Sequence, residues 1–396
     1  MPGVVLSEGR AVGVVFALNG AVMGNWVARI PAAADQTHSS PAILGLALLS
    51  VAVGAVIAMP LVGRLCARVD SRHVVTAAAA SNCLALPLLG LARSPLALAG
   101  ALAVFGASTG ATDVSMNVNA VTAIRNAGRP LMPLFHGGFS TGGMIGAGLG
   151  GLAAAHLGMR THFTLAAAVG LLVLAIVRRR LPADPSSPEQ PAGQQTPEAA
   201  PARQFDATIA VLGAIVFCVA VGEGATGDWS ALYMRDVMHS GATLAAAGYT
   251  VFSVAMAASR FSGAAVLGRF SPARTMVGSC ALAATGALVV VVAPAAPVAL
   301  LGFAVVGAGL AYGFPVALNA AGAHPSGSGP AIGVVTAIGY TGFLAGPPLI
   351  GFVSQWAGLR AGLSLVAVAA AIGLLLAVSR RRLLQAGEPN QVTEPA

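Results

Sequence analysis

Asp113 is a carboxylate inside an apolar stretch of the sequence. A charged side chain at the centre of a membrane helix costs about 2.5–3.5 kcal/mol on insertion scales, so such a residue needs a function or a partner. Asn117 follows one helical turn later on the same face. Burial favours the neutral form of a carboxyl group, which lets it take up and release a proton near neutral pH. We predict that Asp113 exchanges protons; the alternative is a carboxyl held by asparagines or an arginine for helix packing.

Two further acidic residues, Glu223 and Asp228, lie in another apolar stretch. Five residues separate them, about 140° around a helix, so they do not share a face and do not form the paired carboxylates of a hydrolase. Glu223, Thr226 and Ser230 share a face, and this face is predicted to line a polar cavity. Glu223 is also predicted to take part in proton exchange. Asp228 is predicted to contact a bound solute. The alternative is an ion pair with an arginine at the outer rim, for which the candidates are Arg29 and Arg235.

His136 is the third candidate for proton exchange, because imidazole titrates close to neutral pH. A hydrogen-bonded histidine in a packed helix is the alternative. No second histidine or cysteine stands near it at the spacing of metal ligands, so the sequence predicts no metal site, and no cofactor is expected. The four cysteines form no paired spacing, which argues against a disulfide framework.

Neutral polar and aromatic side chains in the apolar stretches could bind a solute. Amides hydrogen-bond hydroxyl groups in either direction, although asparagine also joins membrane helices. Two tryptophans stand near the ends of equivalent stretches, where tryptophan usually anchors a helix at the membrane surface; stacking on a sugar ring is the alternative. Besides Asp228, the predicted solute contacts are Asn19, Asn25, Trp26, Asn117, Trp229, Asn319 and Tyr340.

The elements that carry these residues follow from the composition. Hydrophobic residues make up 56% of the 396 residues and charged residues 9%, whereas a soluble domain has roughly 25% charged residues. Because the apolar core of a bilayer takes about 20 residues of helix, the sequence predicts an all-α integral membrane protein with twelve transmembrane helices. The predicted spans are 11–33, 41–63, 74–92, 96–123, 132–155, 161–178, 207–232, 244–267, 275–293, 296–320, 330–354 and 360–379.

A polar, proline-rich segment divides these spans into two sets of six. Residues 182–205 are rich in Pro, Gln, Glu and Ala, a composition that cannot bury a core, so a disordered cytoplasmic linker is predicted there. Residues 385–396 are predicted to form a disordered tail for the same reason. The predicted domains are therefore two six-helix bundles, at 1–181 and 206–384.

The basic residues, all of them arginines, give the orientation. Of the 21, fifteen lie on the side that holds both termini and the linker, five lie on the other side, and Arg260 lies within a span. The excess places that side in the cytoplasm of an inner-membrane protein, and it explains the net charge of +8 without nucleic acid. Since lysine is absent, there is no phosphate-binding P-loop. No segment outside the spans is long enough for a catalytic domain, so an enzyme is not predicted.

Short matches between the halves indicate a duplication. Gly24-Asn25-Trp26 returns as Gly227-Asp228-Trp229, Asn117 as Asn319, and Thr141-Gly142 as Thr341-Gly342, at offsets of 203, 202 and 200 residues. An even number of spans in each half gives both halves the same orientation. We therefore predict two parallel six-helix repeats with a solute site near the midplane between them. One chain then supplies both walls of a cavity, so a monomer suffices.

The segment between the second and third spans resembles a loop of the major facilitator superfamily, Gly-x-Leu-x-Asp-Arg-x-Gly-Arg-Arg. Gly63, Leu65, Arg68 and Arg72 match this pattern, whereas alanine replaces the aspartate at position 67 and aspartate replaces the second glycine at position 70. The resemblance implies that Gly63, Arg68 and Arg72 belong to a gating loop. In that family a charge relay at this loop links the inward and outward states. Because the aspartate is missing here, the resemblance does not extend to that relay.

Further motifs resemble the YbjJ/MosC-like branch of the superfamily, which is distantly similar to fucose-permease-type transporters. They are Gly24-Asn25-Trp26 with Arg29-Ile30-Pro31, Asp113 with Met116-Asn117, Phe135-His136-Gly137, and Glu223-Gly224 with Asp228-Trp229-Ser230. The resemblance implies alternating access, proton coupling and a small polar solute such as a sugar or sugar derivative. A proton-driven efflux pump for amphipathic drugs is the alternative, and a membrane sensor that binds a ligand without transport is a third.

Overall fold

The computed structural model describes residues 2–129, 131–184, 206–322, 328–381 and 384, and within these ranges the chain forms helices and no strands. The first half contains α1 (Pro2–Val27), α2 (Ile30–Gln36), α3 (Pro41–Cys66), α4 (Ser71–Leu91), α5 (Pro95–Ala127), α6 (Met132–His156) and α7 (Met159–Val177), with a 3-10 turn at Arg178–Arg180. The second half contains α8 (Ala207–Asp236), α9 (Ala242–Phe261), α10 (Gly263–Arg269), α11 (Pro272–Val292), α12 (Ala296–Leu310), α13 (Gly313–Gly322) and α14 (Ser328–Ser379).

The described helices account for the twelve predicted spans. Nine helical segments are long and apolar enough to cross a membrane, and a tenth is added when α1 and α2, bent by 45°, count as one span. α14 contains two helices that meet at Gly358, where φ is 82°. α6 is 25 residues long but less apolar, because eight of its residues are glycine. Two predicted spans are broken in the structure: 244–267 is divided between α9 and α10, and 296–320 between α12 and α13.

The same helix pairings occur in both halves of the chain. α1 packs on α6 and α3 on α5, while α8 packs on α14 and α9 on α12. Between the halves, α6 packs on α9, α3 on α14 and α2 on α8. The chain therefore forms two parallel six-helix repeats that face each other, in agreement with the duplication seen in the sequence.

Local sequence signals set several helix ends. α3, α5 and α11 each begin with proline, whose fixed φ suits the first turn of a helix. The residue before each proline is serine, and the hydroxyl of Ser94 accepts a hydrogen bond from the backbone N–H of Ala97 at 3.2 Å. α5 ends at Ala127, and the next residue, Gly128, has a left-handed φ of 61°. These caps fix the connections so that α5, which carries Asp113, stands beside α3 and α4.

Glycine lets α6 approach α1 closely. A Cβ atom at Gly142 would overlap with the backbone of Ala17, and one at Gly146 would overlap with the backbone of Ala21. These glycines recur every four residues on one face of α6, so the two backbones meet along a smooth surface. The packing of α1 on α6 thus depends on the absence of side chains.

Replacing Gly142 with alanine should lower the free energy of unfolding by about 1–3 kcal/mol, because the added methyl group overfills a tight contact. The measurement is thermal unfolding of the purified protein in detergent. Gly148→Ala is the matched control, since a Cβ atom at Gly148 meets nothing within 4 Å. Equal melting temperatures for the two variants would contradict the close packing of α1 on α6.

The first residues of the predicted linker are bound to the first half. The carboxylate of Asp184 accepts hydrogen bonds from the backbone N–H of Ser71 at 2.6 Å and from the hydroxyl of Thr122 at 2.8 Å. The amide of Asn119 donates to the carbonyl of Pro182 at 2.9 Å. Residues 182–184 are thus held against α4 and α5. The remaining linker, 185–205, and the predicted tail, 385–396, lie outside the described residues.

Candidate functional site

A cavity of about 320 Å³ lies between the two halves of the chain. α1, α3, α5 and α6 border it on one side, and α8, α9 and α14 border it on the other. Small-molecule sites in proteins occupy about 300–1,000 Å³ and have mostly apolar walls with a few polar groups. This cavity has the same character, and its apolar walls include Met23, Val51, Met59, Phe252, Met256 and Phe343.

An ion pair stands in the wall of this cavity. Nη2 of Arg260 on α9 lies 3.6 Å from Oε1 of Glu223 on α8, and both side chains are 26% exposed. Pairing offsets part of the cost of placing two charges within a membrane-spanning bundle. Glu223 therefore borders the cavity, as the sequence predicts, but its partner is Arg260, which was not predicted as a site residue.

Asp228 also borders the cavity, one and a half helical turns after Glu223. The two acids lie on different faces of α8, yet both reach the cavity because it extends around the helix past Gly224 and Gly227. Within the described residues Asp228 has no hydrogen-bond or ion-pair partner. The phenol of Tyr249 interacts electrostatically with Asp228, Glu223 and Arg260. Tyr249 thus completes a polar patch on the α8–α9 side of the cavity.

Two expectations for α8 are wrong. Thr226 and Ser230 do not line the cavity with Glu223; both are buried, and the hydroxyl of Thr226 donates to the carbonyl of Gly222 at 2.8 Å. Asp228 does not pair with Arg29 or Arg235. From Glu223 the cavity extends over the side of α8 that carries Gly224, Gly227 and Asp228. Thr226 lies on the other side of Glu223, away from the cavity.

Asp113 lies beside the cavity rather than in its wall. The amide of Asn117 donates to Oδ1 of Asp113 at 3.4 Å and to its backbone carbonyl at 2.8 Å. Tyr340 of α14, which borders the cavity and is 38% exposed, interacts electrostatically with Asp113 across the interface between the halves. Asp113 thus bonds to Asn117 on its own helix, and the field of its carboxylate reaches Tyr340 of the other half.

His136 stands near the ion pair. Its exposed ring meets the ring of Phe16 edge-on, with centroids 5.4 Å apart, and it interacts electrostatically with Arg260 of the other half. Among the residues that the structure describes, no three His, Cys, Asp or Glu side chains are grouped as metal ligands. His136 thus contacts Phe16 within the first half, and its part in proton exchange stays a prediction.

None of the predicted amide contacts lines the cavity. Oδ1 of Asn19 accepts from Nδ2 of Asn82 at 2.8 Å, and Oδ1 of Asn82 accepts from the cavity residue Thr109 at 3.0 Å. Oδ1 of Asn25 bonds to Nε2 of His162 at 2.7 Å. Asn319 is exposed on α13. The amides of α1 therefore join helices, which is the alternative to solute binding for asparagine in a membrane helix.

The tryptophans predicted as membrane-surface anchors are buried instead. Trp26 is 1% exposed and touches the cavity, with its ring centroid 6.4 Å from that of Phe105. Trp229 is 0% exposed and does not line the cavity, and its indole N–H has no hydrogen-bond partner among the described residues. Anchoring at the lipid surface is therefore wrong for both. Trp356, 89% exposed on α14, has the position expected of an anchor.

The two halves are joined at the end of the bundle formed by α2 and by residues 237–241, here called the α2 end. Nη1 of Arg235 on α8 donates to Oδ2 of Asp35 on α2 at 2.7 Å and to the carbonyl of Pro31 at 2.9 Å. Nearby, α3 and α14 meet where Gly45 lies against the backbone of Pro347. These contacts close the cavity at the α2 end.

The predicted gating loop lies at the opposite end, between α3 and α4. Gly63 is in the last turn of α3, with open space where a Cβ atom would stand. Nη2 of Arg72 lies 3.6 Å from Oδ2 of Asp70, and Oδ1 of Asp70 accepts from the backbone N–H of Arg72 at 2.9 Å. Within the described ranges, Arg68 and Arg72 form no ion pair with the second half. Their part in gating stays a prediction.

Comparison with known sequences gives the family. The model of the Major Facilitator Superfamily matches residues 12–329. An uncharacterized MFS-type transporter of Yersinia pestis is 33% identical over 369 residues, which cover 93% of this chain and 94% of the relative. The membrane protein MosC of Rhizobium meliloti is 30% identical over 387 residues, covering 93% of this chain and 90% of MosC.

Comparison with solved structures gives the same fold at low sequence identity. The nucleoside transporter NupG superposes with a TM-score of 0.76 at 14% identity, over 95% of this chain and 98% of that one. A bacterial homolog of the human lysosomal transporter Spinster, in an inward-facing and unoccupied conformation, superposes with a TM-score of 0.73 at 16% identity, over 96% and 98% of the two chains. The chain therefore belongs to the Major Facilitator Superfamily: it is a multi-pass membrane transporter, not an enzyme.

Proposed function

We propose that this chain moves a small polar solute across the inner membrane by alternating access, with protons as the coupling ion. The observation that carries the proposal is the cavity that both halves build together, with ionisable side chains in its wall. Transporters built from repeats bind their solute at the interface between the repeats. Rocking of the two halves would open this cavity to one side of the membrane at a time.

The distribution of the arginines gives the proposed orientation of the chain in the membrane. Because basic residues concentrate on the side of the termini, we assign that side to the cytoplasm and the α2 end to the opposite face. The closed α2 end then corresponds to a state that does not open outward. One chain contributes both walls of the cavity, so the proposed working unit is a monomer.

The walls of the cavity suit a solute that has an apolar ring face beside polar groups. Trp26, Phe252 and Phe343 offer flat apolar surfaces. Glu223, Asp228 and the phenol of Tyr249 offer polar partners for hydroxyl or amine groups. A sugar derivative has this combination of faces.

Efflux of amphipathic drugs is the second candidate, and the apolar walls favour it. Three methionines, Met23, Met59 and Met256, line the cavity. Methionine is flexible and polarizable, and it is frequent at surfaces that accept many ligands. Among the described residues no asparagine lines the cavity, so the asparagines give no support for a polar solute over an amphipathic drug.

A thermal-unfolding screen of the purified protein separates the two candidates. The panel sets sugars and polyols against lipophilic cations and neutral drugs, each at two pH values. A ligand that binds only the folded state stabilises it by about 2.7 kcal/mol at 100 times its dissociation constant. Stabilisation by polar solutes supports the first candidate. Stabilisation by lipophilic compounds alone would replace it with efflux.

Proton coupling is tested with Asp113→Asn in proteoliposomes. Asparagine keeps the shape of the side chain and its contact with Asn117 but cannot ionise. We expect the variant to lose accumulation of a solute driven by a pH gradient, at least about tenfold, while it still exchanges solute across the membrane at equal concentrations. Glu8→Gln, which neutralises an acid bonded to Asn126 away from the cavity, is the matched control. Gradient-driven transport that survives unchanged in Asp113→Asn would assign the coupling elsewhere.

A further inference from the structure

The charges in the wall of the cavity do not balance. Its charged lining residues are Glu223, Asp228 and Arg260. Glu223 and Arg260 form an ion pair at 3.6 Å. Asp228 has no ion-pair or hydrogen-bond partner within the part of the chain that the structure describes. When both acids are ionised, the cavity therefore carries one uncompensated negative charge.

An unpaired carboxylate in a largely apolar cavity is costly, because little water or protein dipole stabilises it. The charge can be removed in two ways, by a proton or by a cation brought in with the solute. The nearby rings favour a cation. Trp26, Tyr249 and Phe252 border the same cavity, and the faces of aromatic rings attract organic cations within about 6 Å.

An anionic solute fits this site poorly. Arg260 is the only cationic side chain that lines the cavity in the described part of the chain, and Glu223 already engages it. A carboxylate or phosphate on the solute would also face Asp228. A neutral solute could accept or donate hydrogen bonds, but it would leave the extra charge in place.

We infer that the transported solute is a small organic cation, an amine or a quaternary ammonium compound, whose positive charge binds to the carboxylate of Asp228. This inference rests on the proposed function and names the class of its solute. The same carboxyl holds a proton when the cation is absent, so the cation and the proton compete for one site. Binding of the cation to the protonated form releases one proton.

The test uses solutes that share a ring and differ in charge. One series is glucosamine, glucose and glucuronate; the other is benzylamine, benzyl alcohol and benzoate. Binding to the full-length protein in detergent is measured by calorimetry at a pH at which the amines are protonated. In at least one series we expect the amine to bind at least about tenfold tighter than its neutral partner, since a charge-assisted hydrogen bond contributes more than a neutral one.

Variants at Asp228 locate the effect. Asp228→Asn should remove the preference for the amine, and Asp228→Glu, which keeps the charge, should retain it. Glu8→Gln removes an acid far from the cavity and should behave as the natural protein does. Melting temperature and size-exclusion profile confirm that each variant is folded. A preference for the amine that persists in Asp228→Asn overturns the inference.

The remaining outcomes separate this inference from the proposed function. If neither amine binds, or if the neutral partner binds as tightly as the amine in both series, the solute is not selected by charge and the inference fails. The proposed function survives that result as long as proteoliposomes containing the protein transport some solute of the panel. If they transport none, under a pH gradient or without one, the proposed function fails as well.

Discussion

Replacing Arg29 with alanine should reduce the free energy of unfolding by at least about 3 kcal/mol. Arg29 is 4% exposed, and its guanidinium donates from Nε to Nδ1 of His162 at 3.0 Å and from Nη2 to the carbonyls of Leu157 and Ala153 at 2.5 Å and 3.2 Å. A hydrogen bond to a charged group contributes about 1.5–3 kcal/mol. The substitution removes three of them and leaves a space between α1, α6 and α7. Thermal unfolding in detergent is the measurement.

Arg360→Ala is the matched control for Arg29→Ala. Arg360 also donates to two backbone carbonyls, those of Val291 at 2.6 Å and Ala293 at 3.0 Å, but its side chain is exposed. Water can replace those bonds, so we expect a much smaller loss of stability. Equal losses of stability in the two variants would contradict the claim that burial strengthens the contribution of the Arg29 hydrogen bonds. Arg29→Lys should recover only part of the loss, because lysine lacks the planar fork of the guanidinium.

The hydrogen bonds around Arg29 also fix the tautomer of His162. Arginine can only donate, so Nδ1 of His162 accepts and the imidazole is neutral with its proton on Nε2. That proton is donated to Oδ1 of Asn25 at 2.7 Å, and Nδ2 of Asn25 donates to the carbonyl of Ala21 at 2.8 Å. Asn25 is therefore needed as a structural acceptor near the α2 end, and its amide is not free for a solute.

The spans and the duplication could be predicted because they depend on local composition and on periodic matches along the chain. Asp228 and Tyr340 could be placed at the cavity because polar groups in apolar spans are rare. The roles of Asn19 and Asn25 could not, since their partners lie on α4 and α7. Asn82 is 63 residues from Asn19, and His162 is 137 residues from Asn25. Only the packing of helices decides whether such an amide meets another helix or a solute.

The burial of the tryptophans depends on packing in the same way. Trp26 stands at an end of α1 that the sequence places near the membrane surface, but Phe105 of α5 lies against its ring. Arg260 was missed as a site residue for a related reason. Its partner, Glu223, stands on the preceding helix α8, and no spacing rule links residues on two helices whose relative rotation is unknown. Hydropathy and sequence periodicity do not show which side chains of different helices meet; the packing of the helices does.

Glu223 and Arg260 should stabilise the folded protein as a pair, so that losing either one alone costs more stability than losing both. Glu223→Gln leaves Arg260 as an unpaired cation in the wall of the cavity, and Arg260→Gln leaves Glu223 as an unpaired anion beside Asp228. We expect each single variant to lose about 1–3 kcal/mol of stability and nearly all transport. The double variant should regain most of the stability, because no unpaired partner remains, but not the transport.

A double-mutant cycle measures this coupling. Asp70 and Arg72 serve as the matched pair, since their charged atoms are also 3.6 Å apart but stand at the predicted gating loop, outside the cavity. Asp70→Asn keeps an oxygen that can cap α4, so the control removes charge without removing the cap. The loop pair, with side chains 35% and 25% exposed, lies at the end of the bundle and should give a coupling energy of at most about 1 kcal/mol, whereas the pair in the cavity wall should give a larger one. Additive effects at Glu223 and Arg260 would mean that they do not stabilise each other, and the cavity would then hold two independent charges in addition to Asp228.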